Sequence, residues 1–180
     1  MWNKKYTKNE IDNIIKSIVI LIDTREKVNS HIKLWLKSNK INYIDYKLNF
    51  GDYSFYIPKN DNFKIEEDIY FDNEIAIERK AGAEEISGNF TEKSDRLKRE
   101  FERSNNCLRL LIEDTSYSKI SRGEYGTKFP PKSFLGKLHS VQESYDCPFI
   151  FIDKENSGEY IYNTFKYYLR NKLKNIQNNC

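Results

Sequence analysis

Apolar positions along this chain fall into short runs whose period switches between about 3.6 and 2, the signature of interleaved helices and strands. Ile11, Ile14, Ile15 and Ile18 recur at helical spacing behind Thr7-Lys8-Asn9-Glu10, which has the form of a capping box. The spacing predicts a short first helix that leads directly into Ile18-Val19-Ile20-Leu21-Ile22. That run is continuous, rich in β-branched residues and closed by Asp23, as expected of a central buried strand. Ile32, Leu34, Trp35 and Leu36 predict a second helix, 43–48 a second strand and 53–57 a third, entered through a sharp turn or bulge at Gly51-Asp52. Turn chemistry over 58–61 and the residues 63–69 predict a hairpin extension ahead of the strand Ile75-Ala76-Ile77-Glu78-Arg79-Lys80. Two helical pieces over 83–87 and 91–104, parted by Gly88-Asn89, then precede an apolar strand over 108–112. A loop containing Arg122-Gly123-Glu124-Tyr125-Gly126 closes at Pro130-Pro131, where a helix begins with Phe134, Leu138 and Val141 on its inner face. A strand over 149–152 and a helix over 160–176, with Ile161, Phe165, Tyr168, Leu169 and Leu173 at helical spacing, complete the series. This order predicts an α/β fold, a mixed sheet with helices on both faces.

The chain has 180 residues, 38% of them apolar and 14% aromatic, which suffices for a single domain with a real core, expected over about 18–175. No linker rich in Pro, Gly or Ser, no repeat and no low-complexity tract divides it. A net charge of +3 neither requires nor excludes a nucleic-acid partner, so the distribution of charge must carry that question. Cys107, Cys147 and Cys180 form no CxxC pair, and their odd number argues against a disulfide framework, pointing to a reducing compartment. No stretch suits a signal peptide or approaches the ~20 apolar residues needed to cross a bilayer, which argues against export and membrane insertion.

The run ending in Glu78-Arg79-Lys80 sets charged groups on a strand that otherwise reads as buried, and burying charge is costly unless it is paired or binds a metal. On an extended strand Glu78 and Lys80 share one face and Arg79 takes the other. Asp23-Thr24-Arg25-Glu26 follows the end of the first strand, where open α/β sheets gather functional groups. Hard divalent cations take oxygen ligands, usually one or two carboxylates completed by waters and substrate phosphates. Asp52 and Glu78 suit that role because a hairpin between them makes their strands neighbours. A cation there would activate water and stabilise charge on a phosphate, with Lys80 orienting or deprotonating the water. Lys93, Arg96, Lys98, Arg99 and Arg103 give the following helix positive charge, either an ordinary solvated face or a phosphate contact. Asp23 either caps the next helix or pairs with Arg25. His31 and His139 belong to no metal cluster and read as incidental, Cys107 as a buried small hydrophobe, and the aromatics of the last helix as core or dimer contact.

A lone Glu-Arg-Lys is ordinarily solvated surface; joined to Gly51-Asp52 and to Asp23-Thr24-Arg25-Glu26 it resembles the hallmark of the XPF-type structure-specific endonuclease domain, within the restriction-endonuclease-like superfamily. That hallmark is Gly-Asp, a variable gap, Glu-Arg-Lys, three residues and an Asp. Here Glu84 stands in place of the final Asp, while Asp95-Arg96-Leu97 matches the family's basic helix and Leu110-Leu111-Ile112-Glu113 the next strand. The resemblance implies a restriction-endonuclease-like mixed β-sheet flanked by helices and a DNA endonuclease using Mg2+ or Mn2+. It implies Asp52 and Glu78 as metal ligands, Lys80 as the catalytic lysine, and Asp23, Arg25, Glu26 and Arg79 as supporting groups of the site. Arg96, Lys98, Arg99 and Arg103 become the DNA-contacting residues. Branched DNA of recombination, repair or replication, a homodimer joined through the aromatic C-terminal helix, and the cytoplasm of a prokaryotic cell or phage-infected host complete the expectation. Two features depart from the larger relatives: a longer stretch between Asp52 and Glu78, which implies an inserted hairpin, and no tandem helix-hairpin-helix module. The rival reading is a non-catalytic nucleic-acid-binding subunit that keeps the fold; retention of Asp52, Glu78 and Lys80 together favours the enzyme.

Overall fold

Thr7 starts the first helix as its sequence predicts: its hydroxyl accepts from Glu10 N at 3.3 Å while Glu10 Oε2 accepts from Thr7 N at 2.7 Å. The computed structural model describes residues 5–91, 94–105 and 107–178. Helix α1 (Lys8–Lys16) is followed by β1 (Val19–Asp23), α2 (Ser30–Ser38), β2 (Asn42–Tyr46) and β3 (Tyr53–Ile57). Next come β4 (Ile69–Tyr70), β5 (Ala76–Lys80), α3 (Ala83–Thr91) and α4 (Ser94–Ser104). The series ends with β6 (Leu108–Glu113), α5 (Tyr117–Ser121), α6 (Pro131–Tyr145), β7 (Phe149–Ile152) and α7 (Ser157–Asn178).

The strands form one seven-stranded sheet in the order β2-β1-β3-β5-β6-β7, with β4 paired to β3. β1 runs parallel to β2, and β5, β6 and β7 run parallel to one another; β3 lies antiparallel between the two blocks. Helices α1, α2 and α7 cover one face, where Ile14, Ile32, Leu36, Ile161, Phe165 and Leu169 meet Ile20, Ile22, Phe55 and Ile77. Helices α3, α4 and α6 cover part of the other, packing Ile86, Leu97, Phe101, Phe134 and Leu138 on Ala76, Leu108, Leu110 and Ile112.

Three departures from the sequence reading have clear causes. Gly88-Asn89 does not interrupt α3, which continues to Thr91 because Ile86 and Phe90 anchor it on either side of the glycine; the predicted helix over 91–104 is observed from Ser94, and residues 92 and 93 lie outside the described ones. Helix α5 escaped notice because it is five residues long and buries only Ile120. Helix α7 begins earlier than the predicted position 160, because Ser157 is held by Glu113 and Gly158 lies against Trp35, where a Cβ would come within 2.7 Å of that residue's own Cβ.

The segment between Asp52 and Glu78 does fold back on itself: β4 pairs antiparallel with β3 through Tyr56↔Tyr70 and Ile57↔Ile69. At its entry Gly51 has φ +70°, and a Cβ there would meet Ala76 Cβ at 2.9 Å, so the turn needs glycine on two counts. Asp52 N then donates to Ile77 O at 2.8 Å and Asp23 N to Asp52 O at 2.8 Å. Asp52 is thereby pinned between β1 and β5, at the point where the charged end of β5 emerges.

Candidate active site

Strand β5 lies between β3 and β6, so all five of its residues are buried, the three charged ones included. Its pleat divides them. Glu78 Oε1 forms an ion pair with Lys80 Nζ, which also lies 3.8 Å from Glu85 Oε1. Arg79 N donates to Asp52 Oδ2 at 2.8 Å, bringing the Asp52 carboxylate to the same end of the sheet. Glu78 Oε2 is buried without a hydrogen-bond partner. Burial pushes the Glu78 carboxyl up to about 7, with Lys80 opposing the shift and Glu100 adding to it. Burial and then the charge of Glu78 hold the Asp52 carboxyl well above the usual carboxylate range. Burial alone would lower Lys80, yet Glu78 and Asp52 raise it. Two carboxylates that repel each other, Glu78 buried with an orphaned oxygen and Asp52 half-buried, make a set that a positive charge would stabilise. The donors are all hard oxygens, which suits Mg2+ or Mn2+. Among the described residues no group of three or more His, Cys, Asp or Glu comes together to enclose a metal. The fit is therefore that of an ion held by Asp52 and Glu78 and completed by waters and phosphate oxygens.

Arg79 points the other way, and both of its terminal nitrogens are engaged in scaffolding. Its Nη1 donates to Glu113 Oε2 at 2.7 Å and its Nη2 to Glu26 Oε1 at 2.9 Å. Glu113 Oε1 in turn accepts from Ser157 Oγ at 2.6 Å and lies 2.8 Å from His31 Nε2. His31, incidental by its sequence, is thus part of a buried network that ties α2 and the start of α7 to β5.

Asp23 pairs with Arg25 rather than capping a helix. Its carboxylate accepts from Arg25 N at 2.7 Å, Arg25 Nε at 2.7 Å, Arg25 Nη2 at 2.9 Å and Leu48 N at 2.8 Å. With its oxygens so occupied, it orients Arg25 and has no ligand position left over. Burial alone would raise its carboxyl, but these hydrogen bonds outweigh it and hold the group below 3.8. A depressed folded-state pKa stabilises the fold above the unfolded value and is lost as pH falls through the folded one. Asp23→Asn is therefore expected to lower the urea midpoint at neutral pH, and the two proteins' midpoints to converge as acid is added below about pH 3.8. A constant offset down to pH 2 would refute this.

The cleft at this end of the sheet measures about 200 Å³ and is lined by Arg25, Glu26, Asp52, Glu78, Arg79, Lys80, Glu85, Arg96, Glu100 and Arg103. Of the basic helix, Arg96 and Arg103 therefore reach the site. Lys98 instead lines a separate groove of about 290 Å³ with Phe101, Lys137 and Tyr145, and lies 3.8 Å from Glu102. Arg99 is exposed and lines neither. Helical geometry explains Lys98, which falls on the side of the helix away from 96, 100 and 103; Arg99, three residues from 96 and four from 103, sits at the edge of their face and stays exposed. That spacing would also have pointed to Glu100, which the sequence reading missed. The acid matched to the hallmark's final Asp is displaced as well: Glu84 Oε1 accepts from Gly126 N at 2.7 Å, and it is Glu85 that faces Lys80.

A mixed sheet flanked by helices, with an acidic turn facing Glu-x-Lys at the end of a central strand, defines the restriction-endonuclease-like α/β fold. The ERCC4 domain matches residues 22–164, and the chain belongs to that family. Its fold is similar to that of XPF from Aeropyrum pernix, with TM-score 0.60 and 16% identity over 89% of this chain and 69% of that one. It is also similar to XPF from Aeropyrum pernix in complex with DNA, with TM-score 0.57 and 16% identity over 83% of this chain and 64% of that one. A search of curated proteins finds no match.

Proposed function

We propose that the chain is an Mg2+- or Mn2+-dependent DNA endonuclease with its site at Asp52, Glu78 and Lys80. The observation that carries this reading is the convergence of these three groups with a buried Glu78 oxygen that nothing in the protein satisfies. When bound, the cation supplies Lewis acidity and a water of lowered pKa. Asp52 and Glu78 would hold it, and Lys80, kept charged by its acidic neighbours, would orient the attacking water and favour its deprotonated form. Asp23 aims Arg25, which lines the cleft together with Arg96 and Arg103, and these cations suit a phosphodiester backbone. Glu26 and Glu113 hold Arg79 and thereby the register of β5.

DNA as the polymer is supported by family membership and by the similar XPF fold solved with DNA. Branched DNA, a role in repair or recombination, homodimerisation and a cytoplasmic setting extend the proposal by family likeness. No helix among the described residues is long and apolar enough to cross a membrane.

The test is cleavage of labelled single strand, duplex, flap, fork and four-way junction DNA with Mg2+, Mn2+ or EDTA. The expected result is metal-dependent cutting of at least one substrate, abolished by EDTA and reduced about 100-fold or more by Lys80→Ala. Binding without cutting in either metal would overturn the enzyme reading in favour of the non-catalytic one.

A further inference from the structure

Glu100 projects from α4 into the cleft, where the roles described so far make no use of it. It sits between Arg96 and Arg103 on one helical face, so on a surface suited to phosphate its negative charge opposes the two cations beside it. Among the described residues no ion pair joins it to either arginine. Instead Glu100 Oε1 accepts from Gly51 N at 3.2 Å, the amide just before Asp52, and its side chain lines the same small cleft as Glu78 and Asp52. Three carboxylates, from the turn, the strand and the helix, therefore border one small volume. Glu78, only 5% exposed, has its Oε2 unpartnered there, while Lys80 serves its Oε1. Carboxylates gathered in one small cleft repel one another, and a proton or a cation among them relieves that repulsion.

We infer that Glu100 supplies a third carboxylate, from the helix rather than the sheet, to the divalent cation held by Asp52 and Glu78. The inference rests on the metal-site reading above. The three groups do not yet enclose a point. Glu100 is only partly buried, and its bond to Gly51 is a single contact at 3.2 Å, so its side-chain torsions can swing the carboxylate inward with the helix in place. The cation would then bridge sheet and helix and fix Arg96 and Arg103 relative to the scissile phosphate.

The experiment is calorimetric titration of Mn2+ into the full chain without DNA, for the wild type, Glu100→Gln, Glu78→Gln and Glu102→Gln, with thermal melts to establish folding. The amide oxygen introduced by Glu100→Gln can still accept from Gly51 N, so the substitution removes charge and little else. The expected result is Mn2+ affinity at least about tenfold weaker in Glu100→Gln and unchanged in Glu102→Gln, an exposed acid on the same helix. Glu100→Asp, which retracts the charge by one methylene, is expected to fall between. Wild-type affinity in both Glu100 variants, with Glu78→Gln weakened, would overturn this inference and leave the metal site standing. Absence of Mn2+ binding by the wild type would overturn both.

Discussion

Glu78→Gln is expected to lower the rate of DNA cleavage in saturating Mg2+ by about 10³-fold while changing stability in EDTA by no more than about 1 kcal/mol. The two halves of that expectation have one origin. Glutamine keeps the volume of the side chain and can still accept from Lys80, so packing in β5 is preserved. What it loses is attraction to Lys80, which retains Asp52 and Glu85 as acidic neighbours. What it gains is relief from burying a charge and from having Glu100 nearby, the causes that lift the Glu78 acid to about 7, and removal of the charge that helps to raise Asp52. These opposing changes are close in size, so the fold is nearly indifferent to the substitution. The chemistry is not, because an amide oxygen is a poor substitute for a carboxylate on a hard dication. Single-turnover cleavage, DNA binding in EDTA and a thermal melt separate the cases. Cutting within tenfold of wild type would remove Glu78 from the site. Lost cutting with a collapsed melt would make it a structural residue.

The features that were legible in the sequence are those set by neighbours along the chain. Ile18 to Ile22 reads as a buried strand because no polar residue interrupts it, and the period of 2 places Glu78 and Lys80 together without further information. Gly51 reads as a turn because few other residues take positive φ. Partners distant in sequence were not legible. His31, Glu113 and Ser157 lie on three different elements, and nothing local reveals that His31 and Ser157 converge on Glu113, which in turn holds Arg79. Glu84 and Glu85 are adjacent acids, and only the direction in which α3 leaves β5 decides which one faces Lys80. The basic helix was legible as charge but not as a face: counting positive residues joined Lys98 and Arg99 to Arg96 and Arg103 and passed over the acid between them.

The pleat of β5 gives one side to chemistry and the other to stability, so residues one position apart should respond in opposite ways to substitution. Glu113→Ala tests the second side and is expected to cost about 3–5 kcal/mol, the range for removing one partner from a buried ion pair. For a chain of this length that is roughly a 10 °C fall in melting temperature. The side chains of Arg79 and Glu113 are 4% and 1% exposed, so solvent does little to screen the charge left behind. Arg79 keeps Glu26, but Nη1 loses its acceptor and Nε already has none. Ser157 Oγ and His31 lose theirs in the same step, loosening the start of α7 and the first turn of α2. Replacing both charges together, as Arg79→Met with Glu113→Leu, is expected to recover part of the lost stability, because no uncompensated charge then remains between the buried pair, while Ser157, His31 and Glu26 still lack their partners. Urea midpoints of the single and double variants measure the difference. A cost below about 1 kcal/mol for Glu113→Ala would mean that water reaches Arg79 in the folded protein and that the network does not anchor β5.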